Sequence, residues 1–120
     1  MSASRPELTT HVLDTARGRP GAGMHVDLAH VAPGGTAHHL KTVTTDASGR
    51  ALMLAEAEMT AGTYVLTFHV ADYFRAAGVP TATPPYLDVV PVRFSIADRD
   101  AHYHVPLLVA PWSYTTYRGS

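Results

Sequence analysis

HYHVPLLVA (102–110), followed by PWSYTTYRGS (111–120), closes the chain. Side chains alternate across an extended strand. Tyr103, Val105, Leu107 and Val109 therefore share one face, which reads as an ordinary core face. His102, His104, Pro106, Leu108 and Ala110 share the other. That second face is too apolar for open solvent and too polar for a second core. It predicts burial against another subunit or the lining of a cavity. Chain ends are commonly frayed and polar, so tyrosines and histidines this close to the last residue pose a functional question.

The same alternation recurs upstream. In LTTHVLD (8–14), Leu8, Thr10 and Val12 oppose Thr9, His11 and Leu13. If this strand neighbours the last one, their mixed faces form one surface carrying His11 and His104. MHVDLAHVA (24–32) places Met24, Val26, Leu28 and His30 on one face, and HHLKTVTTD (38–46) is β-branched and half polar. ALML (51–54) is a short run. TYVLTFHVA (63–71) alternates with Tyr64, Leu66, Phe68 and Val70, and LDVVPVRFSIA (87–97) with Val90, Val92, Phe94 and Ile96. Pro91 lacks an amide donor, which predicts a sheet edge or a bulge for that strand. A short strand is expected after Pro111. Loops rich in Gly, Pro, Asp or Ser separate the runs: ARGRPGAG (16–23), PGG (33–35), ASGR (47–50) and PTATPP (80–85). DYFRAAG (72–78) breaks the period and reads as two turns of helix with Gly78 at the C-cap. The outline is all-β, roughly eight short strands with one short helix after the fifth or sixth, as in a sandwich or barrel.

A length of 120 residues suits one domain, 1–120, and an apolar fraction of 46% with 16% charged residues is globular rather than disordered. The net charge of −1 gives no basic footprint for nucleic acid. Cysteine is absent, which excludes disulfides, zinc-thiolate sites and thiol catalysis. No apolar run approaches a membrane span. MSASRPELTTHVLD lacks the apolar region of a secretory signal, and RGS is not a peroxisomal signal, so a soluble cytoplasmic protein is expected. The unusual total is 8 histidines.

Three side chains could combine into chemistry. A histidine titrates near neutral pH and can take a proton from water, and a second can orient it or protonate a leaving nitrogen. An arginine can hold a carbonyl-rich or anionic substrate and stabilise an oxyanion. His11, His104 and Arg50 together would suffice to hydrolyse an activated cyclic amide. Each also has a plain alternative: a histidine on a strand is more often structural, Arg50 after Ser-Gly reads as a solvated turn residue, and YRGS alone is a polar tail. His102 and His104 share a face as in strand-borne metal sites, but no carboxylate follows at short spacing and Pro106 comes next. No metal is expected. His38 and His39 point to opposite faces, and His25, His30 and His69 show no usable pattern.

LTTHVLDTARGRPGAG, TDASGR (45–50), GTYVLTFHVADYFRAAG and HYHVPLLVAPWSYTTYRGS together resemble the 5-hydroxyisourate hydrolases, transthyretin-like enzymes of urate breakdown, over nearly the whole chain. The terminal YRGS is the most specific element, since it separates the enzymes from the transthyretins. The resemblance implies a sandwich of two four-stranded antiparallel sheets with one short helix. It implies a homotetramer with a central channel and active sites at the subunit interface, and neither cofactor nor metal. It implies opening of 5-hydroxyisourate to 2-oxo-4-hydroxy-4-carboxy-5-ureidoimidazoline. By motif, the catalytic residues would be His11 of HVLD, Arg50 of the TD-x-x-GR turn and His104 of HYH. Tyr117, Arg118 and Ser120, with Gly119 between them, would build the substrate pocket. In transthyretins the positions of His11, Arg50 and His104 carry other residues and the channel binds hormone. A non-catalytic channel that binds a small ligand is therefore one competing reading, and a metal hydrolase built on the histidines is the other.

Overall fold

The computed structural model describes residues 5–120; the expectation of no signal segment falls partly on residues 1–4, outside the described residues. Among the described residues nine strands follow one another: β1 Leu8–Asp14, β2 Arg19–Pro20, β3 His25–Val31, β4 Ala37–Thr44, β5 Arg50–Leu54, β6 Gly62–Phe68, β7 Val90–Ile96, β8 Tyr103–Ala110 and β9 Ser113–Thr116. A 3₁₀ turn, Glu56–Glu58, precedes β6, and one α-helix, α1 Val70–Ala76, follows it. Two sheets form, so the chain is an all-β sandwich with one short helix, as read from the alternation.

The first sheet is built on β1, whose burial alternates along its whole length. On one side β1 pairs with β8, and β9 lies beyond β8. On the other side β5 pairs with Leu8 through His11, while the two-residue β2 pairs with Leu13 and Asp14. Five strands thus occupy four columns. Two details differ from the expectation of two antiparallel four-stranded sheets. The β1–β8 pair is parallel; the whole second sheet lies between them in sequence, so no hairpin constrains their direction. The ARGRPGAG segment, read as loop, contributes β2 at an outer edge, where a proline's missing amide is tolerated.

The second sheet runs β4-β3-β6-β7 and is antiparallel throughout. Pro91 sits in β7, at the edge its missing donor requires. The β3–β4 register shifts at Leu28/Ala29, leaving Leu40 without an opposite partner. At the end of β3 it is Val31 that is buried, while His30 is only partly covered and packs edge-on against the Tyr64 ring at 5.2 Å. The strand predicted to reach residue 71 stops at Phe68, and the helix begins at Val70 instead of Asp72. Val70 is buried by the helix, which prolonged the apparent alternation. Gly78 follows the helix in the left-handed conformation (φ 75°) that a C-cap needs.

Leu8, Val12, Met24, Val26, Leu28, Met53, Leu66, Phe68, Phe74 and Leu107 fill the space between the sheets without exposure. Each such side chain contributes about 1.5–3 kcal/mol relative to exposure. One polar cluster anchors the end of β1. The buried Asp14 carboxylate accepts hydrogen bonds from Arg17 Nε (2.8 Å), the Arg17 backbone (2.9 Å) and Tyr73 Oη of α1 (2.8 Å). No helix among the described residues is long and apolar enough to cross a membrane.

Candidate active site

The face of the first sheet turned away from the core carries the site. Cross-strand partners share a face, so the register places Arg50 opposite His11 and Leu52 opposite Thr9 across β1 and β5. Across β1 and β8 it places His104 opposite Thr9 and Pro106 opposite His11. The expectation that the two mixed faces merge into one surface holds, and His11, Arg50 and His104 lie together on it.

The TDASGR sequence explains how Arg50 and His11 are fixed. The Asp46 carboxylate accepts hydrogen bonds from the Ser48 backbone (2.9 Å), the Ser48 hydroxyl (2.7 Å) and the Arg50 backbone (3.0 Å), closing the turn. The Ser48 and Arg50 contacts hold the Asp46 carboxyl below its ordinary value. Gly49 adopts φ 81°, and a Cβ there would lie 2.5 Å from the Val12 carbonyl. The turn therefore docks flat on β1, with Val12 N–H donating to the Gly49 carbonyl at 2.8 Å. This docking presents the Ser48 carbonyl to His11, whose Nε2 donates to it at 2.9 Å. A carbonyl only accepts, so His11 carries its proton on Nε2 and leaves Nδ1 bare when neutral. Among the described residues no carboxylate is within ion-pair distance of the Arg50 guanidinium.

His104 is held from three sides. Its Nδ1 lies 2.8 Å from Thr9 Oγ1. Its ring lies near-parallel to that of His102, with centroids 6.4 Å apart. The chain end folds back over it: Gly119 N–H donates to the His104 carbonyl at 2.7 Å. Burial holds the His104 pKa below its ordinary value, reinforced by His102, His11 and Arg50. Burial is the largest of these causes and Arg50 the smallest.

A cleft of about 600 Å³ opens here, and its walls include Thr9, Arg50, Leu52, His102, His104 and Ser120. His11 is on the same sheet face but not in the cleft wall. Tyr117 and Arg118 line a separate groove of about 370 Å³ with Val92, Phe94 and Tyr103. Arg118 lies over the Tyr103 ring at 4.1 Å and donates to the His102 carbonyl at 3.3 Å. Within one chain the terminal tetrapeptide is therefore split: Ser120 faces the cleft, Gly119 backs His104, and Tyr117 and Arg118 point elsewhere. Among the wall residues, sequence reasoning assigned Thr9 no role and weighed His102 only as a metal ligand. Thr9 shares the His11 face of LTTHVLD, a signal that becomes informative only once β8 is known to be its neighbour. Among the described residues no three His, Cys, Asp or Glu side chains are grouped to hold a metal ion.

Comparison with known proteins places the chain in a family. The family model described as "HIUase/Transthyretin family" matches residues 8–119. A 5-hydroxyisourate hydrolase of Deinococcus radiodurans is 52% identical over 120 residues, covering 98% of this chain and 99% of the relative. The crystal structure of (S)-allantoin synthase superposes with a TM-score of 0.88 at 41% identity; the match covers 99% of this chain and 45% of that longer one. The 5-hydroxyisourate hydrolase of Klebsiella pneumoniae superposes with a TM-score of 0.79 at 32% identity, covering 95% and 98% of the two chains. With the sandwich, the HVLD strand and the YRGS end in one chain, the protein belongs to the HIUase/Transthyretin family.

Proposed function

We propose that this chain is a 5-hydroxyisourate hydrolase, acting in the cytoplasm as a homotetramer of single domains without metal or cofactor. The observation that carries the reading is His104: a histidine whose pKa burial lowers, in a cleft it shares with an Arg50 guanidinium that no carboxylate among the described residues pairs. A channel that merely binds a ligand has no need of that pair. The close relatives named above for this hydrolase support the substrate.

The residues divide the work as follows. His104 and His11 position a water, and His104 removes its proton as the oxygen attacks a ring carbonyl. Arg50 binds the substrate and stabilises the oxyanion that forms. Collapse of the tetrahedral intermediate breaks the amide C–N bond. The nitrogen leaves with the proton that His104 took from the water, and the carboxylic acid formed at the carbonyl carbon releases its own proton to solvent as a carboxylate. Ser120 closes the cleft. Tyr117 and Arg118 face away from the cleft of their own chain, and in the homotetramer we assign them to the wall of a site at the subunit interface. Leu108 and Leu52, on the same sheet face, supply apolar area for that packing.

The test is to replace His104 by Asn and Arg50 by Gln and follow substrate decay by ultraviolet absorbance. General-base catalysis is worth about 10²–10⁴-fold, so turnover should fall by that order in His104→Asn while the melting temperature stays near the parent's. Full activity in either variant would remove the assigned role.

A further inference from the structure

Three hydrogen bonds outside the catalytic assignment form a single chain with a direction. It begins at the Arg5 carbonyl, 3.1 Å from His102 Nδ1. His102 Nε2 is 3.4 Å from Thr9 Oγ1, and Thr9 Oγ1 is 2.8 Å from His104 Nδ1. A carbonyl can only accept, so His102 Nδ1 carries the hydrogen. Neutral His102 then has a bare Nε2, which can only accept, and the Thr9 hydroxyl must donate to it. Having spent its one hydrogen, Thr9 can only accept from His104. His104 therefore carries its proton on Nδ1 and presents a bare Nε2.

We infer that Thr9 and His102 are positioning residues that set the tautomer of His104, so that Nε2 is the nitrogen free to take a proton in the cleft. This deepens the functional reading above and rests on it for its catalytic meaning, but the tautomer itself does not. Free neutral imidazole has no such constraint, and a histidine with the proton on Nε2 would donate into the cleft instead of accepting. The ring orientation is fixed by the same bond. Thr9 is held in turn by its strand: its backbone neighbours Leu52 and His104 flank it on β5 and β8. The two residues touch no reacting atom in this assignment. They act through His104.

The experiment reads the tautomer without reference to turnover. The full-length protein is labelled with ¹⁵N-histidine, and two-bond ¹H–¹⁵N correlation spectra are recorded above neutral pH, with His104→Asn identifying the His104 signals. In the parent, His104 should show a protonated-type Nδ1 and a bare-type Nε2. Thr9→Val keeps the shape and removes the acceptor. It should move the proton to Nε2 in most molecules and lower kcat by about 10²-fold, the lower end of what a general base supplies, with KM nearly unchanged. Thr9→Ser should restore both readouts. A parent His104 with its proton on Nε2 overturns the inference, as does a Thr9→Val protein with an unchanged tautomer or a Thr9→Ser protein no better than Thr9→Val. A parent with the assigned tautomer but no acceleration of 5-hydroxyisourate decay sinks the functional reading and leaves the tautomer assignment standing.

Discussion

Replacement of Gly119 by alanine separates a structural from a catalytic use of the chain end. A Cβ at this position would lie 2.7 Å from His104 Cδ2 and 3.4 Å from both His104 Cγ and Pro106 Cγ. Carbon atoms rest about 3.5–4.0 Å apart, so something must yield by about 1 Å. Pro106 is buried within β8 and the His104 ring is held by Thr9. The Gly119 segment, joined to β8 here by an isolated bridge, is what recedes. Its retreat stretches the 2.7 Å bond from Gly119 N–H to the His104 carbonyl, worth about 0.5–1.5 kcal/mol. It also withdraws Ser120 from the cleft. Displacement of about 1 Å at a reacting centre can cost about 10²-fold, which corresponds to about 2.7 kcal/mol in the barrier. The expected result is therefore a loss of about two decades in kcat/KM with a melting temperature within a few degrees of the parent. The assay is ultraviolet decay of 5-hydroxyisourate beside a thermal melt. A folded Gly119→Ala protein with kcat/KM within twofold of the parent would refute the close-approach argument.

The pH dependence follows from His104. Its pKa is lowered by burial, then by His102, His11 and Arg50, so the neutral base should persist below the usual histidine value of about 6.5; kcat/KM should fall on the acid side of that value, and a limb at higher pH would contradict the assignment. Asp14 supplies a stability test: burial alone would raise its pKa, but hydrogen bonds from the Arg17 side chain and backbone and from Tyr73 outweigh it and hold it low. A depressed carboxylate stabilises the fold above its unfolded pKa of about 3.9 and loses that contribution as pH falls through the folded value. Asp14→Asn should cost about 3 kcal/mol near neutral pH in denaturant titration, and much less in acid. Gly49→Ala, strained at φ 81° and facing the Val12 carbonyl, should destabilise by about 1–3 kcal/mol and lower activity by shifting Ser48 and Arg50; unchanged kinetics would show that the turn does not set the site. Leu108→Glu places a charge on the sheet face assigned to subunit packing, so sedimentation should show tetramer and activity lost together, and an active monomer would disprove the shared site.

The elements with clean alternation were legible because one buried face dictates period two. LTTHVLD, TYVLTF and YHVPLLVA all emerged as strands with the expected core residues. His11, Arg50 and His104 were legible as motif positions, and the structure brings them to one sheet face. What the sequence withheld was long-range. The parallel pairing of Leu8–Asp14 with Tyr103–Ala110 joins segments whose partners are 95 residues apart, and no local signal sets that register. Without it Thr9 has no neighbour, and its contacts to His102 and His104 are invisible. Val70 misled for a local reason: a buried valine at the first turn of a helix continues the pattern of the strand before it. The division of YRGS between two grooves was also hidden, because it depends on Gly119 crossing the His104 ring.

The most direct test of the central claim is the decay of 5-hydroxyisourate generated in place by urate oxidase, followed by ultraviolet absorbance with chelator present. The substrate decays unaided, so the blank and the His104→Asn protein set the baseline. Decay accelerated by the parent protein alone, and undiminished by chelator, is the predicted result. Decay no faster than the blank, from parent protein shown to be folded and tetrameric, would contradict the account and make a ligand-binding channel the better reading.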